Sequence, residues 1–340
     1  EMCIRDWAEI AGELDKGLDI LTTEMRDAPK RHRSIRAIFD HSWSLLNQGE
    51  QEVFLHLSVF RGGFTRQAAA QVSGASLQVL MGLVNKSFLN HNPESGRLEV
   101  HELLRQYALE QLGKNPQACL ALQEAHAAYY GEFMEQIWHD LRCSRQMQAL
   151  GDAEADIENV RTAWRYNLDQ KNIPGLWKFI KGLWYFYYIR WWNHAGMELF
   201  ADAVRVFETA CDQESTIIRA LAMAYQSYFM AWLDLASEGF EIAKESVAIL
   251  ESLNHPEALI FAYDSLWINA YIVFRDAEEI NALNKMVEIA AKLNDKWLLA
   301  YPLFGQGMVA MIHEDYIKAR QIAEINLKLY QEIGDRIGST

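Results

Sequence analysis

The chain has 340 residues, half of them apolar and 12% aromatic, which excludes a disordered tail and allows two or three domain cores. Its formal net charge of −14 is uneven: residues 1–114 carry 13 Lys/Arg against 15 Asp/Glu, and the remainder carries 19 against 31. An acidic C-terminal region repels phosphate backbones, which argues against a nucleic-acid surface there.

Hydropathy and cysteine spacing indicate a cytoplasmic protein. The most apolar stretch, residues 182–192, is too short to span a bilayer, and the first residues lack the basic start and apolar core of a signal peptide. The cysteines, which form no C-x-x-C pair, are Cys3, Cys119, Cys143 and Cys211. Their spacing predicts reduced, mostly buried thiols. We also expect the chain to begin inside a larger protein.

The first third of the chain shows apolar residues at helical spacing, interrupted by turn signals. We predict helices over residues 7–26, 34–46, 50–57, 66–72 and 77–84. Thr65 is the expected N-cap of the fourth helix. Residues 59–64 contain Gly62 and Gly63, and we interpret them as a turn with close backbone approach.

Two short extended runs follow, over residues 88–91 and 97–100. They flank a Pro/Gly turn at residues 92–96, which is the pattern of a β-hairpin. A further helix is predicted over residues 101–112. The helices before the hairpin, the small hairpin and the helix after it describe a winged-helix domain, which we place at residues 29–114.

From residue 115 onward the sequence is helical and self-similar. Three related tripeptides recur at a spacing of 40 residues, beginning at Leu253, Leu293 and Ile333. Apolar positions follow the same period: Leu221, Phe261 and Tyr301 form one set, and Met230, Ala270 and Ala310 another. A fixed period of this length predicts stacked helical hairpins that cover each other's apolar faces.

Three repeat units are visible, over residues 217–256, 257–296 and 297–340. In the last unit we expect Gly307, Ala319 and Ala323 to allow close helix packing, with Tyr316 filling the gap beside them. This pattern resembles the tetratricopeptide repeat (TPR), although the period is 40 rather than about 34 residues. The predicted fold class is mainly all-α: a small winged-helix domain with a β-hairpin, followed by a right-handed α-α superhelix of TPR-like repeats over residues 115–340.

Four stretches in order, residues 31–43, 57–64, 83–89 and 100–108, resemble the segment after the ATPase core in bacterial STAND-type signal-transduction ATPases, which are related to NB-ARC proteins. The resemblance implies that residues 1–28 end the lid of such a core. It also implies a full-length protein that binds and hydrolyses ATP, with ADP or ATP as its cofactor.

The same resemblance singles out His101. In that family a Met-His-Asp motif places a histidine near the β-phosphate of bound ADP, and the matching residues here are Val100, His101 and Glu102. A histidine between a strand and a helix can donate to a phosphate oxygen. The alternative is a histidine that only caps the helix. No P-loop motif occurs in this sequence, so we expect no enzymatic activity and no cofactor in this chain alone.

Aromatic residues are concentrated between residues 177 and 271. Trp177, Trp184, Tyr188 and Trp191 share one face of a predicted helix and are interpreted chiefly as packing between helical pairs. A second interpretation is an aromatic-lined concave groove for a peptide or small ligand. The candidate ligand or partner residues are Trp184, Tyr188, Arg190, Trp191, Tyr228, Trp232, Trp267 and Tyr271.

Two further motifs suggest a metal site or a nucleic-acid contact only weakly. The pairs His101-Glu102 and His313-Glu314 lack the second histidine of a zinc helix, so no metal site is predicted. The basic cluster at residues 30–36 either contacts nucleic acid or pairs with acidic surfaces of an ATPase core or with nucleotide phosphates, and we favour the second.

The sequence therefore predicts a regulatory region, in which the repeats bind a protein or small-molecule inducer and the winged helix acts as an autoinhibitory latch on an ATPase core in cis. No direct nucleic-acid contact and no membrane contact are expected. A transcriptional regulator that binds DNA through its winged helix is the alternative, and it needs a basic recognition helix that residues 66–72 and 77–84 do not supply. An enzyme with an unrecognised site is a third hypothesis.

Overall fold

The computed structural model describes residues 35–339, with side chains from residue 39 onward. The helix predicted over residues 7–26, the expected lid segment, Cys3 and the side chains of the basic cluster lie outside the described residues. The chain divides into two compact units. The first comprises the described residues up to Tyr130 together with Ala155–Ala163, and the second comprises Gly131–Glu154 and the chain from Trp164 onward.

The described residues form sixteen helices and one three-stranded sheet, which confirms the mainly all-α fold class. The first unit contains α1 (Ile35–Ser44), α2 (Gln48–Leu57), β1 (Gly63–Phe64), α3 (Arg66–Ser73), α4 (Leu77–Asn85), β2 (Asn90–His91), β3 (Leu98–Glu99) and α5 (Glu102–Leu112). Residues of α6 (Pro116–Asp140), α7 (Gln146–Ala155) and α8 (Ile157–Asp169) are divided between the units. The second unit continues with α9 (Ile173–Arg190), α10 (Asn193–Val206), α11 (Gln213–Met230), α12 (Ala236–Ser252), α13 (Pro256–Ile272), α14 (Asp276–Leu293), α15 (Lys296–Ile312) and α16 (Tyr316–Ile333).

Side-chain caps fix where the helices of the first unit begin. The hydroxyl of Thr65 accepts a hydrogen bond from the amide of Ala68, as predicted, and Ser76 caps α4 in the same way. Asn47 and Glu50 form a reciprocal capping box at the start of α2. These local bonds satisfy amides that have no partner within the helix, so the sequence itself sets the helix boundaries.

The sheet of the first unit has the order β1-β3-β2, with both pairs antiparallel. The hairpin of β2 and β3 was predicted. Residues 59–64 were interpreted as a turn, which is correct for the part before Gly63 and wrong for Gly63 and Phe64, which form β1. Gly63 and Phe64 pair with Glu99 and Leu98. Phe64 is buried and stacks on Phe60 with ring centroids 4.3 Å apart, which holds the strand against the core.

A buried polar network joins the hairpin to the start of α8 within the first unit. The guanidinium of Arg97 forms two bonds to the carboxylate of Asp156, at 2.7 and 3.0 Å, and one bond to the carbonyl of Gly63. The Tyr130 hydroxyl and the Asn159 amide also donate to Asp156. The buried carboxylate is therefore matched by a cation and two neutral donors, which offsets the cost of its desolvation.

The second unit contains the predicted repeat as three hairpins, α11/α12, α13/α14 and α15/α16. Leu221 and Phe261 are buried at one repeating position, and Met230, Ala270 and Ala310 at another. Gly239 permits close approach of the helices, because a Cβ atom there would lie 2.4 Å from the Asn269 side-chain oxygen. Gly305 does the same against Leu283.

Two expectations about packing were wrong. A Cβ atom at Gly307 would make only ordinary contact with Ile322, and Tyr316 is 66% exposed rather than packed in a gap. The tight position is two residues earlier, at Gly305.

The thiols are also less buried than predicted: Cys119 and Cys143 are half-buried and Cys211 is exposed, and none of the three is in a disulfide.

Within residues 35–339, no helix combines enough length with enough apolar character to cross a bilayer.

Candidate binding site

A cavity of about 360 Å³ lies within the second unit, between residues of α6, α9, α13 and the start of α15. Its wall combines aromatic rings with side chains of both charges. The residues that define it are Glu135, Trp138, Arg142, Trp177, Lys178, Lys181, Glu257 and Asp295. Concave sites of this size with a few placed polar groups are typical of small-ligand binding.

Two cations lie over the Trp138 indole. The Arg142 guanidinium carbon is 4.1 Å from the ring centroid, and the Lys181 ammonium is 5.7 Å from it. Trp138 is 6% exposed and is held by edge contacts with Tyr185 and Trp297. Because the ring cannot turn away, the indole face forms a fixed platform for both cations.

Each cation also has one carboxylate partner. Arg142 contacts Asp295 at 3.1 Å, and Lys181 contacts Glu257 at 2.6 Å. Asp295 has a second role, since its other oxygen accepts from the amides of Trp297 and Leu298 and caps α15. The caps of two consecutive repeats thus border the cavity, because His255 caps α13 and stacks on Trp177 with rings 5.6 Å apart.

This arrangement suits recognition of a polar ligand. The ion pairs are partly exposed, so they contribute little to stability and exchange partners at low cost. A ligand anion can replace Asp295 or Glu257 beside a cation, and a ligand cation can replace Arg142 or Lys181 beside an acid. The indole platform supplies a buried, aromatic surface next to both charges.

The residues predicted to contact a ligand fall into two groups by exposure. Trp184, Tyr228 and Trp267 are buried in the core of the second unit, and Tyr188 and Tyr271 are half-buried. Trp184 lies among the rings of Tyr188, Tyr225, Tyr228, Phe261 and Tyr301, at centroid distances of 5.1 to 6.1 Å. These contacts place Trp184 in the packing between helical pairs, the first of the two interpretations above.

The other predicted residues lie near the ends of α9 and α11. Trp191 is 63% exposed and Trp232 39%, and their rings meet edge to face at 5.4 Å. Trp191 does not extend the helical face of Trp184, because α9 ends at Arg190 and Trp191 has a φ of 55°. Arg190 forms an ion pair with Glu154. Their role in binding stays a prediction.

A carboxyl group is buried beside this aromatic core. Asp264 accepts hydrogen bonds from the Trp267 indole at 2.8 Å and from the Tyr301 hydroxyl at 3.3 Å. Burial raises the pKa of Asp264 to about 7, against the lowering by these two hydrogen bonds. Burial also raises the pKa of the nearby Tyr188 phenol to about 12.

His101 lies in the first unit as the N-cap of α5. Its Nδ1 accepts from the amide of Leu103 at 3.3 Å, and the side chain is exposed. When Nδ1 accepts, the proton of a neutral imidazole is on Nε2, which is then a donor. The capping interpretation is therefore observed, and it is compatible with donation to an anion at this helix N-terminus. The neighbouring Glu102 is bound to Arg105 at 2.7 Å.

The cavity was not predicted from the sequence. Its residues lie in or beside four helices that together span more than 150 positions of the sequence, and no local pattern joins them. One signal was available: Trp138 and Arg142 are four residues apart, the spacing that brings neighbouring side chains together on a helix face. The caps His255 and Asp295, spaced by the repeat period, were a second signal.

Comparisons with known proteins found similar sequences and one similar solved structure. No protein-family model matches the chain. Three mycobacterial proteins described as "Putative HTH-type transcriptional regulator", one from Mycobacterium bovis and two from Mycobacterium tuberculosis strains, are 27% identical over 97% of this chain. The chain spans 38% of the length of these relatives. A solved structure of a STAND protein with a tetratricopeptide repeat sensor, from Pyrococcus horikoshii, aligns over the whole chain and 53% of its own length, with 15% identity and a TM-score of 0.49.

Proposed function

We propose that this chain is the regulatory, non-catalytic region of a signal-transduction ATPase, in which the helical repeats bind an inducer and the winged-helix domain acts as a latch. The observation that carries the proposal is the cavity of the second unit, where Arg142 and Lys181 lie over one indole beside their acid partners. The inducer is a small polar molecule or the end of a protein segment, as the size and mixed charge of the cavity require.

His101 is the proposed contact of the latch with nucleotide. The full-length protein binds ADP or ATP in this proposal, and bound nucleotide supplies a phosphate anion near the start of α5. An exposed imidazole with Nε2 as donor, at a helix N-terminus, fits that anion. In a cytoplasmic protein of this kind, inducer binding favours a state in which the latch is released.

A direct DNA-binding role for the winged helix is the second candidate, and the description of the mycobacterial relatives favours it. The second helix of such a domain reads the major groove, normally with basic residues. In this chain α4 contains no Lys or Arg, and its exposed positions include Leu77, Gln78 and Met81. Lys86, just after the helix, is bound to Glu50. The surface of α4 is better suited to a protein contact.

The proposal is tested by ligand capture and cavity variants. The chain is incubated with a low-molecular-weight extract of its source cells, and native mass spectrometry identifies what remains bound. Lys181→Gln and Glu257→Gln are compared with Lys285→Gln, which removes a similar exposed lysine–glutamate pair elsewhere in the second unit. We expect the two cavity variants to lose the captured molecule and Lys285→Gln to retain it.

Two results would overturn the proposal. One is capture that is equal in all variants. The other is no capture, combined with salt-sensitive mobility shifts of DNA by the chain, which would establish the DNA-binding alternative instead.

A further inference from the structure

The repeat hairpins have two kinds of turn, and both contain a residue with positive φ. The turns between hairpins place Asn254, Asn294 and Gly334 in this left-handed conformation. The turns after α9, α11, α13 and α15 place Trp191, Asp234, Phe274 and Glu314 there. Glycine and asparagine adopt this conformation at low cost, whereas bulky residues do not.

We call the second set of turns the intra-hairpin edge, which comprises residues 190–192, 232–238, 274–278 and 314–316. Each turn exposes one large aromatic side chain: Trp191 is 63% exposed, Trp232 39%, Phe274 87% and Tyr316 66%. Stacked hairpins place equivalent turns at the same edge of the array. The contact between Trp191 and Trp232, at 5.4 Å, shows that the first two turns are neighbours.

The same edge is net acidic, and its cations are Arg190, which is paired with Glu154, and the exposed Arg275. Asp234, Glu238, Asp276 and Glu314 are exposed, and none of the four forms an ion pair with any residue in the described range 35–339. Some acidity at this edge serves the helices themselves, as with Asp315, which caps α16. The aromatic rings have no such local role, because Trp191 and Phe274 are exposed in a backbone conformation that disfavours them.

We propose that the intra-hairpin edge docks a basic, arginine-rich peptide segment. A guanidinium group stacks on aromatic faces and pairs with carboxylates, so it satisfies both features of the edge. A lysine ammonium pairs with the acids but stacks less well, and a nucleic acid or an acidic peptide is repelled. This surface is separate from the cavity, and its failure leaves the proposed inducer site untouched.

The test uses the whole chain and a short fluorescein-labelled peptide of alternating Arg and Ser, with binding followed by fluorescence anisotropy. Peptides of alternating Lys and Ser and of alternating Glu and Ser are the comparison probes. We expect the Arg peptide to bind several-fold more tightly than the Lys peptide, and the Glu peptide not to bind. Added salt should weaken binding, because charges are screened.

Two double variants separate the aromatic contribution from the acidic one. Trp191→Ala with Phe274→Ala removes two rings, and Asp276→Asn with Glu314→Gln removes two charges. Each should lower affinity for the Arg peptide by about tenfold, the effect of about 1.4 kcal/mol. Glu288→Gln with Glu332→Gln is the matched control, since it changes net charge equally on exposed faces of α14 and α16 near the ends of those helices that lie far from the edge.

The proposal is supported if the affinity for the Arg peptide falls in both edge variants and stays within about twofold of wild type in the control. Equal loss in the acidic edge variant and the control would show only general attraction to an acidic chain, and would overturn it. No binding of the Arg peptide, or equal binding of the Arg and Lys peptides with the aromatic variant unchanged, would overturn it too. Far-UV circular dichroism checks that each variant is folded.

Discussion

Two buried carboxylates of the first unit are paired with cations, whereas two in the second unit are held by neutral donors. In the first, Asp156 is paired with the guanidinium of Arg97, and Glu50 is paired with Lys86. In the second, Asp264 and Asp335 receive hydrogen bonds from neutral donors: Trp267 and Tyr301 for one, Trp297 and Gln146 for the other. The hydrogen bond from Lys86 lowers the pKa of Glu50, whereas burial raises the pKa of Asp264 to about 7. A cation therefore favours the charged form of Glu50 in the first unit, and Asp264 in the second unit exchanges a proton near neutral pH.

The largest expected effect is the loss of the Asp156 carboxylate. Asp156→Ala leaves the guanidinium of Arg97 and the Tyr130 hydroxyl without their acceptor, so we expect the free energy of unfolding of the first unit to fall by about 3–5 kcal/mol. Urea denaturation with hydrogen exchange of residues 35–130 measures it. Glu158→Ala, which removes an exposed acid two residues later in the first turn of α8, is the control and should change stability by less than about 0.5 kcal/mol. A similar loss of unfolding free energy in both variants would show that the Asp156 ion pair has no special role in the first unit.

Next in size is the pH dependence of the second unit. The folded pKa of Asp264, about 7, lies above its ordinary value of 3.8, so the folded state holds a proton that the unfolded state has released. The stability it contributes is fully present below pH 4 and is lost as pH rises through 7, by at most roughly 4 kcal/mol. Asp264→Asn should unfold with a flatter pH profile than wild type between these limits. Parallel profiles for the two proteins would show that Asp264 is ionised in the fold.

A pH effect of opposite sign is expected in the first unit. Burial lowers the pKa of His126 to about 4, so its neutral form is favoured by folding. Stability should be fully present above pH 6.5 and should fall as pH drops toward 4, by at most roughly 3 kcal/mol. His126→Gln should lack this loss in denaturation experiments at each pH. A steeper loss in the variant than in wild type would contradict the assignment.

The smallest effect concerns the turns of the second unit. Phe274 is 87% exposed at a φ of 59°, so Phe274→Asn gives up little burial and relieves backbone strain. We expect a stabilisation of up to about 1 kcal/mol in thermal unfolding. Asn294→Phe, at the equivalent conformation between hairpins, should destabilise the unit. A loss of stability in Phe274→Asn would mean that the ring supports the fold instead of a partner.

Local interactions were predictable from sequence, and interactions between distant segments were not. Thr65 was assigned as an N-cap because a cap depends on residues three positions apart. β1 was missed because its partner, β3, is more than 30 positions away, and a two-residue strand has no pattern of its own. The period of 40 was read correctly, since the turns at Asn254, Asn294 and Gly334 repeat it in the structure.

The candidate site, too, depends on contacts between distant segments that the sequence does not predict. The aromatic content of the sequence correctly pointed to the second unit. Only solvent exposure, however, decides which aromatic rings can contact a partner. Helical spacing alone placed the buried Trp184 and the exposed Trp191 on one face. The cavity depends on α6 packing near α13 and α15, which only the folded chain brings together. Charge pairs across such distances leave no signal in one sequence.

The central claim, that ligand recognition belongs to the second unit, is tested most directly by hydrogen–deuterium exchange of the chain with and without the low-molecular-weight cell extract. We expect slower exchange in residues 131–142, in α9 and in α13, which carry Trp138, Lys181 and Glu257. Residues 35–130 should exchange at an unchanged rate. Slower exchange confined to residues 35–130, or no change anywhere, would contradict it.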